Sequence, residues 1–272
     1  IGKGAVGAGN NTVQLGNTSI TNVKTSGTVT AGAITIPNTD GSANQVLKTD
    51  GSGTLSWTTV SSGGASSITG LSDALVEDNS IYLGIDPSST TSTAQKNVAV
   101  GVTALDAVTT GDENTAVGYG SLGANTEGVN NVAVGVNSLQ SNTSGSSNLA
   151  LGYDALASNT TASFNVAVGN TSMNSNTTGS NNVAVGRNSL QLNTTGLNNT
   201  GIGDQALRSN TTGSANAAVG LEALYSNTTS SGNTGVGYQA LKTNTGDSNT
   251  AVGAEALELN TSGGTNTAVG GK

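Results

Sequence analysis

Hydrophobic and polar positions recur along this chain every 17 residues, from about residue 79 to the last residues. Each unit is marked by a glycine, and the step between Gly237 and Gly253 alone measures 16 residues. The twelve glycines are Gly84, Gly101, Gly118, Gly135, Gly152, Gly169, Gly186, Gly203, Gly220, Gly237, Gly253 and Gly270. A strict period of this length indicates that one short supersecondary unit is stacked many times along an axis.

Each position of the unit, followed from coil to coil, forms a column of similar residues. A branched aliphatic residue precedes every glycine. Ala or Gly stands two before it and Asn four before it in every unit but the first, which has Tyr82 and Ser80 at these positions. Leu follows four after the glycine in nine units. The columns that we assign a structural role include Asn114, Asn131, Asn148, Asn165, Asn182, Gly118, Gly135, Gly152, Gly169, Gly186, Val117, Val134, Val168, Val185, Leu122, Leu139, Leu156 and Leu190.

The spacing of apolar residues favours strands over helices. Each unit holds two short apolar segments between Asn- and Gly-rich corners, so strands of about four to five residues are expected. No unit places apolar residues at i, i+4 and i+7 over more than one turn, as a helix requires. We therefore predict an all-β chain whose residues 79–272 form a parallel β-solenoid, or β-roll, of 17-residue coils, preceded by an irregular β-rich segment.

The column residues also predict the conformation inside each coil. Val and Leu are expected to form the buried inner stripe, with the Ala column on the opposite side of the strand. Gly is expected to take a positive φ at one bend. Asn is expected to tolerate a left-handed φ at the other corner and to bond its amide to the coils above and below. The missing residue of the 16-residue unit is expected in the return 242–249, with the strands still in register.

A coil of this size buries few aliphatic side chains, so a second buried surface is expected. The Ala column, including Ala167, is expected to lie either at a seam between chains, because small side chains permit close approach, or in the tightest part of the coil interior. A closed cyclic homo-oligomer would bury such a seam.

Composition then limits the chemistry. The 272 residues contain no Cys and no His, which excludes Ser-His-Asp and Cys-His sites within the chain as well as thiolate metal sites. The formal charge of −8 argues against nucleic-acid binding. No run of 18 apolar residues could span a membrane. We expect no enzymatic activity, no cofactor and no bound metal.

The motif Asn-Thr-Ala-Val-Gly-Tyr-Gly-Ser-Leu, from Asn114 to Leu122, resembles the head repeats of trimeric autotransporter adhesins. In that family each repeat is one coil of a left-handed parallel β-roll, and three chains associate along their length. The resemblance covers about residues 79–270. The coil here is longer than the family's, and the extra residues fall in the Asn-Thr-Thr-Gly return.

The first 75 residues resemble a second class, the shaft proteins of phage-type tail fibres. The resemblance rests on two stretches, Thr12 to Val23 and Asn44 to Trp57. It implies an elongated trimeric shaft exposed outside a cell, on a virion tail or a bacterial surface, attached to neighbouring fibre, baseplate or anchor segments. The chain stops inside a repeat, so a segment of a longer or processed protein is expected.

The N-terminal part also carries its own pattern. Apolar residues alternate with Thr, Ser and Gly over 12–36, which predicts short strands. Residues 45–50 and 54–59 flank a Gly-Ser-Gly turn and predict a hairpin, with Trp57 packing as its anchor. We divide the chain into a β-rich fibre segment at 1–60, a Gly/Ser linker and bend at 61–78, in which 71–78 forms a helical turn or a bend, and the repeat array at 79–272.

Candidate chemistry is sparse. The adjacent acidic pairs, Glu77-Asp78 and Asp112-Glu113, are interpreted as solvated loops rather than a cation site. The Asn-Thr-Thr and Asn-Thr-Ser stretches match the glycosylation sequon, but turn chemistry accounts for them. Adjacent threonines such as Thr177 and Thr178 would point to opposite sides, against the paired Thr columns of an ice-binding face.

Three functions therefore stay open. The leading hypothesis is the structural shaft of an extracellular trimeric fibre. The alternative is an adhesin whose array contacts a glycan or other host receptor, and a distant third is an ice-binding solenoid. The possible contact row lies at variable positions just after the glycine, namely Tyr119, Tyr153, Arg187, Leu221 and Tyr238.

Overall fold

The computed structural model describes residues 29–31, 34–36, 41–43, 45–52, 54–59, 74–77, 79–84 and 93–272. They fall into two compact units, Ile1–Ser66 and Ser67–Lys272. The strands predicted at Val13, Leu15, Ile20 and Val23 lie outside the described residues.

The described residues of the first unit form two antiparallel strand pairs. Strands β1 (Val29–Ala31) and β2 (Ile34–Ile36) form one pair, and β3 (Gln45–Thr49) and β4 (Leu55–Thr59) form the other. The second pair confirms the predicted hairpin.

Two residues hold this hairpin. Trp57 is half-buried opposite Leu47, and its ring covers Gly41 so closely that a Cβ there would lie 2.5 Å from the ring. At the turn, the carboxylate of Asp50 accepts the backbone N–H of Ser52 at 2.8 Å and that of Thr54 at 3.1 Å. Hydrogen bonds from the side chain and N–H of Ser52 and from Thr54 lower the pKa of Asp50 to about 2.

The second unit is a 13-stranded sheet in which twelve strands, β6 to β17, run parallel in sequence order. Its strands are β5 (Ala74–Glu77), β6 (Ser80–Gly84), β7 (Val98–Gly101), β8 (Thr115–Val117), β9 (Val132–Val134), β10 (Leu149–Leu151), β11 (Val166–Val168), β12 (Val183–Val185), β13 (Thr200–Ile202), β14 (Ala217–Val219), β15 (Thr234–Val236), β16 (Thr250–Val252) and β17 (Thr267–Val269). This arrangement is a parallel β-solenoid with one strand per coil, as the period predicts.

The sheet begins with a strand of opposite direction. β5 pairs antiparallel with β6, so residues 74–77 form a strand where the sequence had suggested a helical turn or bend. From β6 onward every strand pairs with the same columns of the next coil, for example Ala150 with Ala167.

Each coil contains a shorter strand and more turns than predicted. From β8 onward the strand is three residues long, the chain bends at the glycine, and the Ala/Ser-Leu segment lies in consecutive turns rather than in a second strand. The glycine takes the expected positive φ, +133° at Gly135. A Cβ there would lie 2.4 Å from the carbonyl oxygen of Gly152 in the next coil, so both the backbone and the stacking require glycine.

The left-handed φ predicted for the Asn column is wrong. Positive φ occurs instead at the residue before that Asn, at the second residue after the glycine, and at the leucine, as at Asn130 (58°), Asn137 (56°) and Leu139 (51°). These turns reverse the chain within a few residues and direct the leucine inward.

The core consists of the Leu and Ala columns. Leu139 and Ala133 are fully buried, and the same holds for their counterparts in the neighbouring coils. The buried Leu column confirms one half of the predicted inner stripe.

The Val column, the other half of the predicted inner stripe, is not buried as expected. Residues such as Val134 and Val185 are half-buried on the outer side of the strand, and Leu151 is 45% exposed. Alternate strand residues face opposite sides, and the space opposite each leucine accommodates only Ala or Gly. The branched residues therefore face outward. The Ala column lies in the coil interior, so it is not a seam between chains.

The 16-residue unit is accommodated as predicted. Thr234 still pairs with Thr250, and Gly235 pairs with Ala251. The amide of Asn244 donates to the carbonyl of Gly246, two residues on, whereas the same bond spans three residues in full coils. The deletion therefore lies in the corner after Asn244.

Candidate functional site

Two buried columns of asparagine connect the coils. In the column before the strand, Oδ1 of Asn114 accepts the backbone N–H of Asn131 in the next coil at 3.0 Å. The Nδ2 of Asn131 donates to the carbonyl of Gly145 at 2.9 Å. The same contacts recur at Asn148, Asn165 and Asn182, which confirms the predicted amide bonding between coils.

The second column comprises the asparagines seven residues after the glycine. The Nδ2 of Asn142 donates to Oδ1 of Asn125 at 2.8 Å and to the carbonyl of Gly145 at 2.9 Å. A single carbonyl oxygen thus accepts from both asparagine columns. Most of these amides are buried and bonded, but Oδ1 of Asn227 and Nδ2 of Asn233 have no hydrogen-bond partner among the described residues. Asn260 and Asn266 are more exposed at the end of the array. The main role of the two columns is therefore to bond one coil to the next.

Burial of the asparagines also argues against glycosylation at the sequons. Asn159 and Asn176 are fully buried, and their Nδ2 atoms each donate two hydrogen bonds. A glycan attached there would remove this bonding, so turn chemistry explains the motif. The threonine that follows is also bonded, since Oγ1 of Thr177 donates to the carbonyl of Thr194 at 3.1 Å.

The outer side of the strands forms an uncharged surface that we call the strand face. Its residues lie one and three positions before each glycine, from coil to coil, and none of them is charged. The nearer column contains branched aliphatic residues throughout. Members of both columns are exposed, for example Val98 and Val100 at 38% each.

The predicted contact row lies just beyond the glycine bend and is exposed. Tyr119, Tyr153, Leu221 and Tyr238 expose between 43% and 55% of their surface. Two further members, Val102 and Val136, had not been singled out, although their position in the repeat would have identified them.

Arg187, in the same row, belongs to an ion pair. Its Nη2 lies 2.8 Å from Oδ2 of Asp204 in the next coil. The guanidinium of Arg187 is thus paired with the carboxylate of Asp204. Arg187 is charged, unlike the apolar members of the row.

Further charged side chains also bridge coils. Glu113 pairs with Lys96 at 2.8 Å, and Asp112 accepts the backbone N–H of Gln95 at 2.7 Å. This pair of acids therefore binds the preceding coil, in agreement with a loop role. Asp78 lies outside the described residues.

A third ion pair lies in the C-terminal half of the array. Nζ of Lys242 lies 2.7 Å from Oε2 of Glu222, which lowers the pKa of Glu222 and raises that of Lys242. Gln239 also donates to this carboxylate at 2.8 Å. Within the same array, Arg208 bonds to Gln191 and Tyr225 and packs against the ring of Tyr225.

Within the described residues there is neither a cluster of His, Cys, Asp or Glu side chains able to hold a metal ion nor a helix of sufficient length and hydrophobicity to cross a membrane. The candidate surfaces are therefore the strand face and the row beyond the glycine bend. No protein-family model, no curated protein and no solved structure matches this chain.

Proposed function

We propose that the repeat array is the structural shaft of an extracellular trimeric fibre, of the tail-fibre or adhesin kind, on a virion tail or bacterial surface. The array supports this role through its regular coils, each hydrogen-bonded to the next. Charged side chains stabilise neighbouring coils. The function is non-enzymatic in this proposal.

The observation that carries the proposal is the strand face. Twelve strands at about 4.8 Å spacing and three residues of about 3.3 Å each give a face about 55 Å long and 10 Å wide. An uncharged, largely aliphatic patch of that size lies at the upper end of what monomers expose and is typical of a surface that another chain covers. A parallel copy carries the same repeat of 17 residues, so it would match the face coil by coil.

Sedimentation tests this assembly. The wild-type chain should sediment at three times the chain mass, and Val134→Lys with Val168→Lys should convert it to monomers because both lysines would enter an uncharged interface. Ser141→Lys, at an exposed position away from the strand face, is the matched control and should stay trimeric. A monomeric wild-type chain would exclude the proposal.

A second candidate function is an adhesin whose array itself binds a receptor. The exposed tyrosines just after the glycine favour it, because large aromatic side chains are enriched where proteins bind partners. Binding of the array to a panel of immobilised glycans would support this function, and a failure to bind any of them would leave the array a spacer.

A further inference from the structure

Four consecutive coils place large apolar side chains at the same exposed position. We call Val102, Tyr119, Val136 and Tyr153 the aromatic strip; their exposed fractions are 51%, 55%, 40% and 51%. The next member of the row, Asn170, is polar. The strip therefore ends at Asn170 on its C-terminal side.

The repeat sets the distance between the two tyrosines. Tyr119 and Tyr153 are two coils apart, so their rings are separated by about 9.6 Å along the solenoid axis. Val136 lies between them in the row and has a smaller side chain than either tyrosine. Gly120 follows Tyr119 without a side chain, so that ring is open on one side.

The charges around the strip disfavour an anionic ligand. No Lys or Arg occurs between residues 97 and 186, whereas this stretch contains five acidic residues. One of them, Asp154, directly follows Tyr153, and its Oδ1 accepts from Asn137 at 3.1 Å. Carboxylate and amide groups beside the rings suit a neutral ligand with many hydroxyl groups.

Tyrosine rings suit the flat C–H face of a sugar ring whose substituents are equatorial, and their hydroxyls can reach sugar hydroxyls. In an extended β-1,4-linked polysaccharide, every second sugar presents the same face, and the disaccharide length is close to two coil spacings. A straight polymer laid along the axis would therefore stack on both rings at once, which strengthens binding over one contact alone.

We propose that the aromatic strip binds a neutral, extended β-1,4-linked polysaccharide, with Tyr119 and Tyr153 stacking on alternate sugars. The inference rests on the proposed adhesin role of the array. It names the ligand class and restricts the binding site to four coils. In this proposal the strand face remains the surface through which copies of the chain associate.

The test is co-sedimentation of the full chain with cellulose and with chitin, supplemented by electrophoresis through gels containing a soluble β-1,4-glucan. Wild type should be retained, and Tyr119→Ala with Tyr153→Ala should weaken binding at least tenfold. Tyr119→Phe with Tyr153→Phe should keep most of it. Tyr238→Ala is the matched control, because Tyr238 is exposed in the same row but has Asp204 and Gly271 two coils away.

Binding to other polysaccharides and the oligomeric state of the variants provide the remaining tests. Starch, which is α-linked, and alginate, which is anionic, should retain little protein. Equal binding by wild type and the double Ala variant, or no retention of wild type on either β-linked polymer, would overturn the proposal. A change in sedimentation of the double Ala variant would assign the strip to contacts between copies and would also overturn it. A monomeric wild type that binds through the two tyrosines would instead overturn only the trimeric shaft.

Discussion

At the residue scale, the fold depends on positions that accept only small side chains. Ala167 is fully buried in the column between Ala150 and Ala184. Ala167→Glu would place a carboxylate inside the coil without a partner, which should cost several kcal/mol of folding free energy. Thermal unfolding followed by circular dichroism should show a large loss, or no folded protein.

Gln191→Glu is the matched control for that change. Gln191 accepts from Nε of Arg208 at 3.0 Å on the outer side of the coil, and a glutamate keeps this acceptor. Its unfolding temperature should stay within a few degrees of wild type. Equal, small effects of the two substitutions would show that the Ala column is not a packed interior.

Glycines in two columns should differ in their tolerance of alanine. Gly118 has a φ of +130°, and its added Cβ would lie 2.5 Å from the oxygen of Gly135. Gly235 lies in the Ala column and has no positive φ, and an added Cβ would lie 3.1 Å from the oxygen of Ala240. Gly118→Ala should therefore destabilise strongly, and Gly235→Ala by about 1 kcal/mol or less. Urea unfolding of both variants measures the difference, and similar midpoints would refute it.

At the element scale, strands must keep register while corners can change length. Inserting one Thr after Thr245 would restore a 17-residue unit in the corner where the chain is short. This insertion should leave the unfolding temperature nearly unchanged, because no strand pair shifts. One residue inserted after Gly235, within β15, should reverse the inward and outward positions of that strand and unfold the array locally. Hydrogen exchange would locate the damage, and equal protection in both variants would contradict the corner assignment.

The residues of the coil show which of its features could be predicted from the sequence. The period, the positive φ of the glycines, the bonding of Asn114 to Asn131 and the position of the short corner all follow from residue types in register. The two sides of the strand do not, because both Ala133 and Val134 are apolar and a period of two cannot say which is inside. The left-handed leucines were also unpredictable, since leucine rarely adopts that conformation and only the packed coil stabilises it.

Exposure of the contact row was easier to predict than its composition. Tyr119 and Tyr153 stood out as aromatic residues in a variable column, and both are exposed. The two valines of the strip, Val102 and Val136, are harder to single out from the sequence, because their neighbours in sequence resemble the strand. The strip became visible only once the coils had been stacked.

At the scale of the whole array, the buried polar groups are amides rather than ions, so stability should depend little on pH. The pKa of Glu222 is lowered, so its contribution is present above its usual pKa of 4.5 and lost as the pH falls through the lowered value. The pKa of Lys242 is raised, so its contribution is present below its usual pKa of 10.5 and lost as the pH rises through the raised value.

The expected unfolding temperature is therefore flat between about pH 5 and pH 9, with a small decrease on the acid side, since a partly exposed pair contributes about 1 kcal/mol or less. Thermal melts from pH 3 to pH 10 measure this profile. Lys242→Met should reduce the acid-side decrease. A steep change between pH 5 and pH 9 would contradict an amide-bonded interior.

The hydrogen bonds between coils run along the axis of the array, and this direction has a mechanical consequence. Tension applied to the two ends of a single chain would load these bonds one coil at a time rather than all together. Each coil that detaches would release 17 residues, a gain of roughly 55 Å in extended length. The chain should therefore lengthen in a series of nearly equal steps at modest force, and the coil between Gly237 and Gly253 should give a step one residue shorter.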